Sequence, residues 1–297
     1  MGYLYLVLAV FAGITKAVCS KKQSSKAGTV PSALLTSFVR MLFCLPIGAA
    51  FFLIGGSKLY ALADVGTILI SLLSAAATSA YVIAWLFSVR KGAFMLSSVF
   101  VMLGVVVTVG LSAVFFSESV TVKQIIGLIV LVIAALVMCS YSKDIKGRLT
   151  ASAVVLLILC GLLTGVMDFS QKLFVYVVKD GSVEAFNFYT YLFSSVILGV
   201  CYLLFSKNRS VEAEEPLRVL KAVLPFIILM GVATFLGSYF KTLSATYLPA
   251  PVLYPLFQGL TLPLTSITMA LFFKERITAK SVIGIIIAFV SMLLINM

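Results

Sequence analysis

Two segments of this chain are near copies of each other. The stretch Phe115–Gly127, which reads FFSESVTVKQIIG, returns 157 residues later as Phe272–Gly284, which reads FFKERITAKSVIG. The same ungapped register extends back to Ala93, which pairs with Ala250. Since the offset is slightly more than half of the 297 residues, a half-length unit has been duplicated. The chain is therefore expected to fold as two related halves.

The composition predicts a membrane protein. Hydrophobic residues make up 62% of the sequence, charged residues make up 11%, and the mean hydropathy is +1.18. Soluble domains are far more polar, and a soluble helical bundle would need polar outer faces that the fifth and tenth apolar runs lack. Ten apolar runs approach the roughly 20 residues that a transmembrane helix needs. They cover about 3–20, 32–54, 65–88, 93–116, 121–141, 152–178, 183–206, 219–245, 249–273 and 277–296.

The predicted fold class is an all-α integral membrane protein with ten transmembrane helices in a single membrane domain over residues 1–297. Five spans in each half is an odd number, so the halves enter the bilayer from opposite sides. They are two inverted five-helix repeats, 1–141 and 152–297. In a chain this apolar, such a duplication is typical of a transporter.

The charges of the loops predict the orientation. The odd-numbered loops contain 15 Lys and Arg residues, and the even-numbered loops contain three. The positive-inside rule places the odd loops in the cytoplasm. We therefore expect a multi-pass protein of the plasma membrane with both termini outside the cytoplasm. The duplicated segment agrees, because Ser-Glu-Ser at 117–119 becomes Lys-Glu-Arg at 274–276.

Several kinds of chemistry find no support in the sequence. Histidine is absent, and the five cysteines are scattered without a C-x-x-C pair, so neither a metal site nor an enzyme is predicted. No phosphate-binding loop is present, and no cofactor is expected. The net charge of +12 lies mostly in the loops, which indicates the lipid bilayer rather than nucleic acid as partner. The protein is expected to be a monomer or a homodimer.

The Gly161-x-x-x-Gly165 pattern predicts close helix packing.

Polar stripes mark eight of the spans and are missing from spans five and ten. In span nine, Tyr254, Gln258 and Thr261 recur at steps of four and three, which places them on one helix face. For any single position, hydrogen bonding between helices is the alternative, but a shared polar cavity explains eight striped helices together. Further candidate cavity residues are Tyr81, Trp85, Ser97, Asp168, Gln171, Lys172, Asn187, Tyr191 and Tyr239.

Five charged residues lie within spans or at their edges, where each costs about 2.5–3.5 kcal/mol or more. Lys16 and Lys241 lie near span ends, where a lysine side chain can extend to the interface. Asp168 precedes Lys172 by four residues, the favourable order for an intrahelical ion pair. That pairing would leave Arg40, nine residues beyond Pro31, as the unpaired group.

An unpaired guanidinium at that depth predicts an anionic substrate group. A carboxylate or phosphate would bind Arg40 through two parallel hydrogen bonds. Tyr81, Trp85 and Tyr239 would then form apolar and stacking walls. The alternative is that Arg40 hydrogen-bonds carbonyls at a helix end or extends to the nearer interface.

The duplicated segment also carries a family resemblance. Each half contains Phe-Phe-x-Glu-x-x-Thr-x-x-x-x-x-Gly between its fourth and fifth spans, with Glu118, Gly127, Glu275 and Gly284 as motif residues. This arrangement resembles the EamA-type branch of the drug/metabolite transporter superfamily. The resemblance implies a central cavity lined by helices one to four and six to nine, with helices five and ten peripheral.

The same resemblance implies a secondary transporter, an exporter or exchanger that works by alternating access. Its small-molecule substrate would be a metabolite such as an amino acid or other organic anion. A flippase for a lipid headgroup or a lipid-linked intermediate is the alternative, and it would need a lateral opening. Members are often drawn with cytoplasmic termini, whereas the loop charges here predict the reverse.

Overall fold

The computed structural model describes residues 1–24, 26, 29–55, 64–90, 94–139, 151–179, 181–206, 216–273 and 279–296. Within these ranges the chain forms ten α-helices, and each begins and ends within about four residues of a predicted span. The helices are α1 (Gly2–Ser24), α2 (Val30–Ile54), α3 (Val65–Arg90), α4 (Phe94–Phe116), α5 (Val122–Cys139), α6 (Ala151–Val177), α7 (Val183–Ser206), α8 (Pro216–Ala245), α9 (Ala250–Phe273) and α10 (Ala279–Asn296).

Most of these helices have the length and composition of membrane spans. In the described residues, α1, α2, α3, α6, α7, α8 and α9 are long and apolar enough to cross a bilayer. The remaining three contain shorter apolar stretches at Phe100–Phe116, Val122–Ala134 and Val282–Ile295. Large apolar side chains such as Leu53 are exposed, whereas polar side chains such as Asn187 are buried. This polarity suits a lipid solvent, and the chain is a multi-pass membrane protein.

Helices α5 and α10 pack against each other, and the glycine of the duplicated motif lies in their contact. A Cβ atom on Gly127 would lie 2.5 Å from Ile295 Cγ1, and Ser291 Oγ donates a hydrogen bond of 2.7 Å to the Gly127 carbonyl oxygen. The beginning of α5 therefore meets the end of α10, and Leu131 and Ala134, further along α5, cluster with Ala288, earlier in α10. The two helices therefore run antiparallel. Their other faces expose large aliphatic side chains, including Ile129 and Ile286, so the pair lies at the periphery.

Glycines also bring α4 and α6 together. A Cβ atom on Gly104 would lie 2.8 Å from the Gly161 carbonyl oxygen and 2.9 Å from the Gly165 nitrogen. Thr108 Oγ1 donates a hydrogen bond of 3.1 Å to the Gly165 carbonyl oxygen across the same contact. The close packing predicted from Gly161 and Gly165 is confirmed. It fixes the position of α6, whose next two turns carry Asp168 and Gln171.

One end of the helix bundle is held together by contacts between the two halves. The Ser244 hydroxyl, at the end of α8, donates a hydrogen bond of 2.9 Å to the carbonyl oxygen of Gly2, at the start of α1. The Tyr5 and Phe240 rings stack with centroids 6.2 Å apart. Glu118 lies at this end too, between α4 and α5. We call it the Glu118 end.

Candidate functional site

An ion pair joins α6 to α8 in the interior. Lys241 Nζ lies 2.5 Å from Asp168 Oδ1, and the two side chains are 13% and 3% exposed. The ammonium also lies 4.9 Å from the centre of the Phe257 ring on α9, a cation–π distance. Tyr254, on the same helix, donates its hydroxyl hydrogen to the Asp168 carbonyl oxygen at 2.6 Å. Asp168 therefore connects three helices.

The predicted intrahelical pair between Asp168 and Lys172 is wrong. Lys172 Nζ lies 3.0 Å from Glu118 Oε1 and donates hydrogen bonds to the carbonyl oxygens of Ala245 at 3.1 Å and Leu248 at 3.0 Å. These contacts use all three ammonium donors. Pairing with Asp168, one turn away on the same helix, would provide a single carboxylate instead. Lys172 consequently lies at the Glu118 end and is separated from the Asp168–Lys241 pair.

Glu118 of the duplicated motif makes a second contact at this end. Its Oε2 accepts a hydrogen bond of 2.8 Å from the backbone N–H of Ala250, the first residue of α9. The first N–H groups of a helix have no partner within the helix, and a carboxylate there also interacts favourably with the helix dipole. The preceding Ser117 has a φ of 53°, in the left-handed region where the chain turns sharply after α4. One carboxylate thus binds both α6 and α9.

Arg40 on α2 is buried and poorly satisfied. It is 7% exposed, and its Nη1 atom lies 3.8 Å from the Met230 sulfur, a weak acceptor. In the part of the chain that the structure describes, its Nε atom has no hydrogen-bond partner and the side chain has no acidic partner. Tyr81 and Tyr191 lie close enough to interact electrostatically with the guanidinium.

Lys16 on α1 faces the same region. Gly237 of α8 packs on Ala12, and Gly13 packs on Thr261 of α9, so this part of α1 lies against both helices. Lys16 follows one turn later, is half-buried, and interacts electrostatically with Arg40, Lys241 and Asp168. No described residue forms a hydrogen bond or ion pair with it. These four groups from α1, α2, α6 and α8 form what we call the charge cluster, defined as Lys16, Arg40, Asp168 and Lys241.

A hydrogen-bonded chain of polar side chains adjoins the cluster. Gln171 Nε2 donates to Ser238 Oγ at 3.1 Å, and Ser238 donates to Asn187 Oδ1 at 2.7 Å. Asn187 in turn donates to the carbonyl oxygen of Val183 at 2.9 Å. The chain links α6, α8 and α7. It brings together Gln171 and Asn187, two predicted cavity residues from different spans.

The predicted aromatic walls also come together. Tyr81, Trp85, Tyr191 and Tyr239 belong to one apolar cluster formed by α2, α3, α7 and α8. Tyr239 donates its hydroxyl hydrogen to Glu184 Oε1 at 2.8 Å. Tyr191 is buried, whereas Tyr81, Trp85 and Tyr239 are half-buried. Two members of this aromatic cluster, Tyr81 and Tyr191, are also electrostatic neighbours of the Arg40 guanidinium.

The α9 stripe is divided between two environments. Tyr254 is fully buried, whereas Gln258 and Thr261 are half-buried on the following turns. The Thr261 hydroxyl has no hydrogen-bond partner among the described residues.

Of the other candidates, Gly284 is buried in α10. Ser97 and Glu275 lie outside the described side chains.

Two cluster members, Lys16 and Lys241, were not among the predicted cavity residues. Their positions near span ends favoured the interpretation that each ammonium extends to the interface. A signal for Lys241 existed, since it continues the polar stripe of Thr234 and Ser238 on α8. The packing of the preceding turn of α1, where Ala12 meets α8 and Gly13 meets α9, places Lys16 toward the interior.

Fold and site together define a polytopic helical membrane protein with a charged interior between two similar halves. The model of the EamA-like transporter family matches residues 1–140 and 151–297, one match for each half. The chain belongs to this family and is a membrane transporter for small molecules, which confirms the resemblance carried by the duplicated motif. A crystal structure of a protein with 14% sequence identity superposes with a TM-score of 0.75, over 99% of this chain and 95% of the other. That likeness shows a shared fold. No curated protein matches the sequence.

Proposed function

We propose that this protein is a secondary transporter, an exporter or exchanger, for a small organic anion such as an amino acid. The observation that carries this proposal is the buried guanidinium of Arg40, whose Nε atom has no partner among the described residues. A buried charge is costly unless it is paired and hydrogen-bonded. A planar carboxylate or phosphate would supply both requirements through two parallel hydrogen bonds.

The surroundings of Arg40 support binding of an organic molecule rather than an inorganic ion. Tyr81, which interacts electrostatically with Arg40, is half-buried and shares one apolar cluster with the half-buried Trp85, and aromatic faces provide apolar contact area for the carbon skeleton of a substrate. On the α9 side, Gln258 and Thr261 are half-buried and available for polar contacts. The proposed site therefore has an anion-binding centre, an aromatic wall and a polar wall.

The orientation of the helices supports two inverted repeats of five transmembrane helices. Glu118, just after the end of α4, binds Ala250 at the beginning of α9. The fourth helix of the first half therefore ends where the fourth helix of the second half begins. The fifth helices, α5 and α10, are likewise antiparallel. With the loop charges, this arrangement supports a plasma-membrane protein whose two termini lie outside the cytoplasm.

The contacts between the halves support alternating access. At the Glu118 end, Ser244 of α8 bonds to Gly2 of α1, and Glu118 of the first half binds both Lys172 of α6 and Ala250 of α9. Away from that end, residues 12–18 of α1 and 264–270 of α9 are half-buried along their whole lengths. We propose that this state is closed at the Glu118 end, and that transport breaks these contacts as the halves move about the central site.

Uptake into proteoliposomes tests the proposal. Wild type, Arg40→Lys and Arg40→Gln would be compared on a panel of labelled amino acids, dicarboxylates and phosphate monoesters. We expect transport to fall for Lys, which loses the planar fork, and further for Gln, which loses the charge as well. Arg218→Gln, at an exposed position of α8, is the matched control and should transport normally. Full activity of Arg40→Gln, or a transported substrate without an anionic group, would refute the proposal.

A further inference from the structure

We infer that the substrate carries two negative charges close together, and that Lys16 binds the second while Arg40 binds the first. This inference rests on the proposed function and makes the substrate class narrower. The charge cluster contains three cations and one acid, so its formal charge is +2. A monoanion would leave one interior cation without a counterion.

The only acid of the cluster is engaged through its Oδ1 atom, while its Oδ2 atom has no hydrogen-bond partner among the described residues. Asp168 is paired with Lys241 at 2.5 Å, and that pair is neutral overall. Of the two other acids in the described part of the bundle interior, Glu118 binds Lys172 and Ala250. Glu184 accepts hydrogen bonds from Tyr239 and Ser182. Asp64, the remaining acid of the described residues, accepts a hydrogen bond from the Thr67 N–H, so no described acid forms an ion pair with Lys16 or Arg40.

Lys16 is placed to approach a ligand that Arg40 holds. Its backbone lies where α1 contacts α8 at Gly237 and α9 at Thr261, and α2 meets the same stretch of α8, since a Cβ atom on Gly231 would lie 3.2 Å from the Arg40 carbonyl oxygen. Unlike Arg40 it is half-buried, and no described residue forms a hydrogen bond or ion pair with its ammonium. Two like charges in one interior repel each other. A bound dianion would give each cation a negative partner and so offset that repulsion.

The chemistry of such a ligand is that of a dicarboxylate or a phosphate monoester. In both, two anionic oxygens or carboxylates lie within a few bonds, so one can bind the guanidinium fork and the other the ammonium point charge. Among amino acids, only those with an acidic side chain carry two carboxylates, whereas a net-neutral amino acid would bring its own ammonium into a region that is already positive, which is unfavourable. The inferred order of affinity is dianion, then monoanion, then zwitterion.

Ligand pairs that differ by one charge test this directly. Succinate would be compared with its monoamide, and glycerol phosphate with its methyl diester, by thermal stabilisation of the purified protein and by competition for uptake. For the wild type we expect at least one dianion to bind roughly ten- to a hundredfold more tightly than its monoanionic partner, the range expected for one charged hydrogen bond. The two pairs distinguish a carboxylate source from a phosphate source.

Lys16→Gln should reduce affinity for the dianion by a similar factor and leave that for the monoanion nearly unchanged. Lys16→Arg should keep the preference, and Lys22→Gln, at an exposed position of the same helix, is the control. If Lys16→Gln folds poorly, the comparison of dianion with monoanion on the wild-type protein still tests the inference.

Three outcomes would overturn the inference. In the first, monoanions bind the wild type as tightly as their dianionic partners in both pairs. In the second, Lys16→Gln retains a dianion preference. If either occurs while Arg40→Gln still abolishes binding, only the second charge is refuted. In the third, no anion of any charge binds the wild type, and the proposed function fails together with this inference.

Discussion

The substitution Glu118→Gln isolates the charge of the duplicated motif. Glutamine keeps the size of the side chain and an acceptor for the Ala250 N–H at 2.8 Å, but it removes the negative charge that lies 3.0 Å from Lys172. The two side chains are only 16% and 11% exposed. Breaking a buried ion pair by removing one partner costs about 3–5 kcal/mol. Because Lys172 keeps two carbonyl partners, we expect a loss of about 2–3 kcal/mol in the free energy of unfolding.

Unfolding of the detergent-purified protein measures this loss. The variants are Glu118→Gln, Lys172→Met and the double substitution, with the exposed Lys179→Gln, two residues beyond the end of α6, as a lysine control. Partners in direct contact give coupling energies of about 0.5–3 kcal/mol, so the double variant should be less destabilised than the sum of the two single variants. Additive effects of the two substitutions, or a Glu118→Gln protein as stable as the wild type, would refute the ion pair as a stabilising contact.

Three further predictions follow from other parts of the molecule. Gly127→Ala should lower the free energy of unfolding by about 1–3 kcal/mol in the same assay, because its Cβ would collide with α10, whereas Gly110→Ala, with open space around it, should not. Gln258→Ala should change substrate affinity while folded yield stays nearly the same; a loss of yield with unchanged affinity would make the position a packing one. In a cysteine-free background, an impermeant thiol reagent applied from outside should label cysteine at Met297 and not at Glu275, and the reverse pattern would contradict the predicted orientation.

The fold follows from the sequence because the bilayer leaves few choices. An apolar run of about 20 residues has to satisfy its backbone hydrogen bonds within itself, and a helix does so. The apolar runs therefore predicted the ten helices of the described residues, with each end within about four residues. The glycine spacing also predicted a helix contact. Because Gly161 and Gly165 have no side chains, α4 can approach α6 closely there.

The pairing of charges could not be predicted in the same way. The four-residue spacing of Asp168 and Lys172 suggested a pair, but such pairs contribute only about 0.2–0.5 kcal/mol in an isolated helix. In the interior, each group gains more from desolvated partners on other helices, and those partners are distant in sequence. Lys241 is 73 residues from Asp168. Helical periodicity shows on which face of its helix a side chain lies, but it does not show which other helix packs against that face.

The corrected pairing separates the charges that join the halves from the charges proposed to bind substrate. Lys172 and Glu118 neutralise each other at the Glu118 end, so a substrate anion gains little by competing for that lysine. Asp168 is likewise occupied by Lys241, which leaves the positive charge of Arg40 and Lys16 uncompensated. A negative ligand at those two cations would reduce the repulsion between α1 and α2. Since α1 also contacts α8 and α9 of the other half, ligand binding at the charge cluster would alter the contacts by which the two halves meet.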